Sequence, residues 1–246
     1  MAISLGAPIH AGRERRRWRR SSRSLRGVKS RLSSRELLLG LLLALSLVVG
    51  VTRAETAISK PVLALIDVET TGLDPDRHEM IDIGAIYIES DGRELGRFFV
   101  RMQPAHPERA DPGAQAVNGF SVERWQSLGA VSAAEAADRF EAFHQSMAKD
   151  RKVIFTAFNV WFDQAFVSRW LAREQRSFRH WYHYQVLDLP SMAWARGVRG
   201  LTGTEIAAAL GIADETRDPL QHTGETGAAF NLAVYRTLSG AVPIDD

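Results

Sequence analysis

Val62-Leu63-Ala64-Leu65-Ile66 is an unbroken apolar run, and it ends on Asp67-Val68-Glu69. A short run of this kind, opened by Pro61, reads as a strand buried on both faces. Side chains alternate across a strand, so Asp67 and Glu69 share a face. Two carboxylates side by side at the end of a buried strand repel each other unless a cation joins them. An isolated Asp-x-Glu is more often a pair of solvated loop acids, so the pair gains meaning only from the rest of the chain.

The rest of the chain alternates strand and helix signals. Thr71-Gly72-Leu73-Asp74-Pro75 is a turn. Residues 81–88 alternate toward a second strand, Ser90-Asp91-Gly92 makes a hairpin turn, and Phe98-Phe99-Val100 lies in a third strand. A turn-rich stretch runs over 104–119. Ala136, Phe140, Phe143 and Met147 recur at helical spacing within 133–148, and 153–157 is another short strand. Phe162, Phe166 and Trp170 then mark a helix that follows at once. Residues 187–196, 201–210 and 224–238 read as three further helices. Early strands followed by strands alternating with helices predict an α/β fold, a mixed sheet with helices packed on it.

Ahead of this body the charge balance reverses. Residues 1–53 carry twelve basic side chains against two acids, whereas the rest of the 246-residue chain carries nineteen against twenty-seven. The net charge of +2 and the pI near 9.1 are therefore set by the tail. An acidic body that handles a polyanion needs metal cations or a local basic patch. Residues 1–36 show no apolar period and read as a disordered basic tail. The uncharged run 37–51 would span about 22 Å as a helix, short of the ~30 Å hydrocarbon core. Residues 37–54 thus read as a signal-like or anchor segment, with membrane contact through 37–51 and the body outside the cytoplasm. A cytoplasmic protein with an amphiphilic N-terminal helix is the alternative. The chain has no cysteine, which excludes disulfide scaffolds, thiolate zinc sites, iron–sulfur clusters and cysteine nucleophiles.

Other residues join the acid pair as candidates. Asp163 follows a strand at a helix entry, where a lone acid usually serves the helix dipole. His222 sits in the loop before the last helix, near Glu225, and a lone loop histidine is more often a surface residue than a catalyst. Thr70-Thr71-Gly72 offers hydroxyls and N–H groups that either hold a phosphate or terminal nucleotide or shape a turn. Arg169, Arg173, Arg176 and Arg179 form a solvated helix face or a phosphate track. Trp161 and Phe120 are candidate stacking residues, with core packing the plainer role for Phe120.

Taken together, VLALIDVETTGLDP at 62–75, IFTAFNVWFDQAFV at 154–167 and PLQHTGETGAAFNLAVY at 219–235 resemble the DEDDh 3′→5′ exonucleases. This is the family of the proofreading (epsilon) subunit of bacterial DNA polymerase III. The resemblance covers about 61–240, which it makes an exonuclease domain, and includes the glycine-centred loop Val117-Asn118-Gly119-Phe120-Ser121 and Leu187-Asp188-Leu189 before a helix. It implies a ribonuclease-H-like mixed sheet flanked by helices and a site for two divalent ions, Mg²⁺ or Mn²⁺. Asp67 would bridge both ions, Glu69 would hold the one that activates water, and Asp163 the other. His222 would be the general base. Thr70, Thr71, Gly72, Leu73 and Asn159 would contact the substrate, a single-stranded DNA or RNA 3′ end. The chemistry is coherent: two ions stabilise the attacking and leaving oxygens of an in-line displacement, and hard cations take carboxylate oxygens. A neutral imidazole suits a base at neutral pH.

The chain departs from the family at one position. A fourth metal-binding aspartate belongs five residues after the histidine, where this chain has Gly227. Glu225 could reach in as a substitute ligand, although two residues along a helix is a rotation of about 200°. Asp218 or a water could instead complete the shell in a slower enzyme. The remaining alternative is a catalytically inactive nucleic-acid-binding module on the same fold.

Overall fold

The computed structural model describes residues 60–240. The basic tail and the signal-like segment 37–54 lie outside the described residues. Among the described residues no helix is long and apolar enough to cross a membrane.

Three antiparallel strands come first: β1 (Val62–Thr70), β2 (Met80–Ile88) and β3 (Glu94–Arg101). Two short helices follow, α1 (Pro112–Asn118) and α2 (Val122–Ser127), then the long α3 (Ala133–Ala148). β4 (Val153–Ala157) leads into α4 (Val160–Arg173) and the single turn α5 (Phe178–Trp181). β5 (Val186–Asp188) is succeeded by α6 (Leu189–Ala195), α7 (Gly203–Leu210) and α8 (Gly224–Ser239). The sheet order is β3-β2-β1-β4-β5, with β4 and β5 parallel to β1, giving the mixed α/β sheet that the sequence pattern predicts.

β1 lies in the middle of this sheet, which is why its sequence is apolar on both faces. Val62, Ala64, Ile66 and Val68 enter one core layer with Phe140 of α3 and Trp170 of α4. Leu63 and Leu65 enter the other, against Leu189 of α6, Ile206 of α7 and Leu232 of α8. Helix ends are set by local chemistry. Ser132 caps α3 by accepting from the Glu135 N–H, and α7 begins at a capping box formed by Thr202 and Glu205.

Two stretches fold otherwise than their patterns suggest. The turn-rich segment 104–119 contains α1, started by the Asp111 cap with Pro112 behind it and stopped by Gly119 at φ 62°. Residues 187–196, predicted as one helix, begin instead in β5, because Val186, Leu187 and Asp188 pair with Phe155, Thr156 and Ala157 of β4. That pairing is a tertiary interaction with no local signature. Asp188 then serves as the N-cap of α6, accepting from the Ser191 N–H.

Candidate active site

The alternation of β1 carries Asp67 and Glu69 out on the face of Leu63 and Leu65, toward α8. In the β1–β2 ladder Asp67 stands opposite Gly84, and Glu69 opposite Asp82. Gly84 has no side chain, so the first turn of α8 settles directly on the sheet. A Cβ on Gly84 would collide with the Gly224 carbonyl, and one on Gly224 would lie 2.5 Å from the Gly84 nitrogen. The Gly224 N–H donates to Asp82 Oδ1 at 2.9 Å and fixes the docking. One turn further on, a Cβ at Gly227 would meet the Asp67 carboxyl group. Small residues thus bring the helix down onto the acids.

The other groups arrive from two loops. Asn159, in the left-handed region at φ 56°, turns the chain from β4 into α4. This places Asp163 in the first helical turn, where the dipole favours an anion. Asp163 is buried, and its Oδ1 accepts from the Val68 N–H at 3.1 Å, tying it to β1. His222 precedes the Thr223 cap of α8. Its Nδ1 lies 2.8 Å from the Thr216 carbonyl oxygen, and its Nε2 lies 3.0 Å from Glu69 Oε1.

Asp67, Glu69, Asp163 and His222 line one cavity of about 400 Å³. Thr70, Leu73 and Asn159 are on its wall, whereas Thr71 and Gly72 are not. Thr71 is buried behind the wall and accepts from the Glu79 N–H, and the Gly72 carbonyl takes the Thr70 hydroxyl. Trp161 also lines the cavity and is 68% exposed, while Phe120 packs edge-on against Trp125 in the core. Three of the four arginines are engaged with acids: Arg169 with Asp76, Arg173 with Glu79, and Arg176 with Asp138 and Glu141.

Glu225 does not enter the site. It is exposed on the first turn of α8, on the side whose charge acts on Arg97 of β3. Gly227 faces Asp67, and the helical rotation between the two positions turns Glu225 away. Asp218 is exposed as well, its carboxylate accepting from the Leu220 N–H and the Gln221 amide. The acid that does reach the cavity is Glu215, in the loop between α7 and α8. Its Oε1 lies 3.5 Å from His222 Nδ1. No motif or periodicity marks Glu215 in the sequence, since its place depends on how an irregular loop folds back.

The electrostatics are those of buried, crowded acids. Burial, then Asp163, Glu215 and Glu69, hold the Asp67 carboxyl well above the usual carboxylate range. Burial raises Asp163 likewise, against the opposing Val68 hydrogen bond. Asp82 is pushed up to about 8 by burial and by Glu69. The imidazole answers in the opposite sense. The hydrogen bond to Glu69, aided by Glu215, raises His222 to about 9 against the opposing effect of burial.

Oxygen donors held this way suit a hard divalent cation. Among the described residues no three His, Asp or Glu groups already close around one point. Glu69 is drawn aside by His222 and by the Asn118 amide, 3.2 Å from its Oε2, so closure requires that those contacts yield.

Known proteins place this arrangement. The Exonuclease (RNase T) family model matches residues 64–193, just over half of the chain. An oligoribonuclease of Burkholderia lata is 25% identical over 174 residues, spanning 66% of this chain and 82% of the relative. The 3′-5′ DNA exonuclease Cap18 of Escherichia coli is 30% identical over 110 residues, 44% of this chain and 56% of that protein. The crystal structure of the zinc-bound E. coli ExoI–ssDNA complex superimposes with a TM-score of 0.62 at 17% identity, over 76% of this chain. The chain spans only 42% of that protein, and the likeness is one of fold. With the family model, the mixed sheet and the shared cavity in agreement, the chain belongs to the Exonuclease family and has its ribonuclease-H-like fold.

Proposed function

We propose that this protein is a metal-dependent 3′→5′ exonuclease that releases mononucleotides from single-stranded ends. The observation that carries the reading is the convergence of Asp67, Glu69, Asp163 and His222 on one cavity beside an exposed tryptophan. Family membership supports dependence on divalent metal, and the all-oxygen donor set favours Mg²⁺ or Mn²⁺. Asp67, Glu69 and Asp163 would hold the ions. The chemistry such ions supply is neutralisation of phosphoryl charge and acidification of the attacking water. Asp163 is already fixed through the Val68 N–H, so its contribution is preorganised. His222 is held at Nδ1 by the Thr216 carbonyl and bonded at Nε2 to Glu69; with Glu69 holding an ion, that Nε2 would be the group to take the proton of the attacking water. Trp161 and Leu73, both exposed at the cavity, offer an apolar seat for the terminal base.

The names of the relatives support both RNA and DNA as substrates, so both are tested. The full chain is incubated with 3′-labelled RNA and DNA oligonucleotides and Mg²⁺ or Mn²⁺. Mononucleotide release that is lost with chelator and in Asp67→Ala is expected. Absence of release from every oligonucleotide with both metals rejects the reading. Gly227 favours a second reading, a binding module without turnover, for which end-binding without release is the signature. Export or anchoring through 37–54 belongs to the same proposal, and a topology reporter fused after Asp246 tests it.

A further inference from the structure

We propose that Glu215 supplies, from the α7–α8 loop, the acidic metal ligand that this chain lacks at Gly227, closing a divalent-cation site with Asp67 and the Asn231 amide oxygen. The assignment rests on the exonuclease reading above and names a ligand that reading leaves open. Gly227 is not simply a missing carboxylate. The Asp67 carboxyl lies in the space that a Cβ at 227 would take, and the glycine itself offers no ligand. Any acidic ligand must therefore come from elsewhere.

Glu215 meets that need by position. It lines the active-site cavity together with Asp67, Glu69, Asp163 and His222. It also lines an adjoining cavity of about 200 Å³, whose wall includes Asp67 and Asn231. Asn231, on α8, supplies an independent sign of a ligand. It is 1% exposed, its Nδ2 donates to the Ile66 carbonyl at 2.9 Å, and its Oδ1 has no partner among the described residues. A buried acceptor left without a donor needs an explanation, and a cation or its bound water provides one. The Glu215 carboxylate is weakly engaged: Oε1 has His222 Nδ1 and the Thr226 hydroxyl each at 3.5 Å.

Neighbouring acids do not compete. Asp214 lines the small cavity, but its carboxylate takes the Thr204 hydroxyl at 2.7 Å and lies 3.6 Å from Arg217. Glu225 and Asp218 face solvent. A glutamate has one methylene more than an aspartate, and that extra reach suits a ligand set back in a loop.

The test is Mn²⁺ binding to the full chain by calorimetry, with thermal melting as a second readout. In Glu215→Gln, one class of Mn²⁺ site weakens about tenfold or more, since affinity follows ligand charge. The metal-free variant still unfolds in one cooperative transition, and the Mn²⁺-induced rise in its Tm shrinks. Glu215→Asp is weakened by its shorter reach, and Glu225→Gln behaves as wild type. Wild-type Mn²⁺ affinity in both Glu215→Gln and Glu215→Asp overturns the assignment. If that happens while the wild type still degrades oligonucleotides and Asp67→Asn does not, the exonuclease reading stands and only the role of Glu215 falls. If the wild type neither takes up Mn²⁺ nor degrades an oligonucleotide, both fall.

Discussion

β1 presents two faces of opposite character. Ala64, Ile66 and Val68 enter a layer filled by rings. There Phe140 is wholly buried, with the rings of Phe98, Trp181 and Trp170 centred 5.1, 5.6 and 5.9 Å away. The opposite face starts apolar at Leu63 and Leu65 and then carries Asp67 and Glu69 beneath Gly224 and Gly227 of α8. The ring layer excludes charge: His144, stacked on Trp181 and bonded to the Tyr87 hydroxyl, is pushed down to about 4 by burial. The glycine-lined face collects ionisable groups: Asp67 and Glu215 are raised, as is His222, and Asp163 joins them at the strand end from α4 and is raised as well. One face is satisfied by protein atoms, and the other is left with acids that a cation would satisfy better. Stability and function therefore separate across a single strand.

The sharpest challenge to that separation is Asp67→Ala. Nucleotide release should fall roughly 10⁴-fold, about 5 kcal/mol of barrier, while the metal-free melting temperature does not drop. A large loss of stability with activity intact would erase the distinction between the faces. Phe140→Ala is the converse case. It should cost about 4 kcal/mol in urea unfolding by emptying the ring layer, and the folded fraction should retain its Mn²⁺ affinity.

The two faces also respond oppositely to pH. His144 stays neutral in the fold down to about pH 4, whereas the unfolded chain protonates it near 6.5. Between those values the unfolded state binds the additional proton, so this contribution to stability rises with pH and is complete above about 6.5. The raised carboxyls of the other face act in reverse, and without metal their contribution declines as pH rises. Urea midpoints at pH 4.5 and 7 for wild type and His144→Gln isolate the histidine. Across its full window wild type should gain about 3 kcal/mol relative to the variant. The smallest effect is expected at the seam: Gly84→Ala should lift the first turn of α8, at a cost of about 2 kcal/mol, and weaken Mn²⁺ binding as well. Wild-type stability and metal affinity there would mean that close docking of α8 is not what assembles the site.

Much of this architecture is legible in the amino-acid order. The limits of α3 follow from the spacing of Ala136, Phe140, Phe143 and Met147, because an amphipathic helix writes its period into the chain. Asp67, Glu69, Asp163 and His222 stand on spaced motifs, and they share one cavity. β5 is not legible, since three residues paired to β4 look locally like the start of the following helix. Nor is the place of Glu215, which follows from how the irregular loop before α8 folds back. Thr71 reads as a substrate contact as readily as a turn residue, and only the fold shows that its hydroxyl accepts from the Glu79 N–H.

By itself the amino-acid order determined that a buried strand ends in two acids on one side, because strand alternation is a property of the backbone and holds wherever that strand is placed. It also determined which residue types were present to hold a cation, and that sulfur was not among them in the form of cysteine. Only the tertiary structure decided that Glu215, and not Glu225, shares a cavity with Asp67. That outcome depends on how closely a helix can approach a sheet and on where an irregular loop returns, and both are set by contacts between segments far apart in the chain.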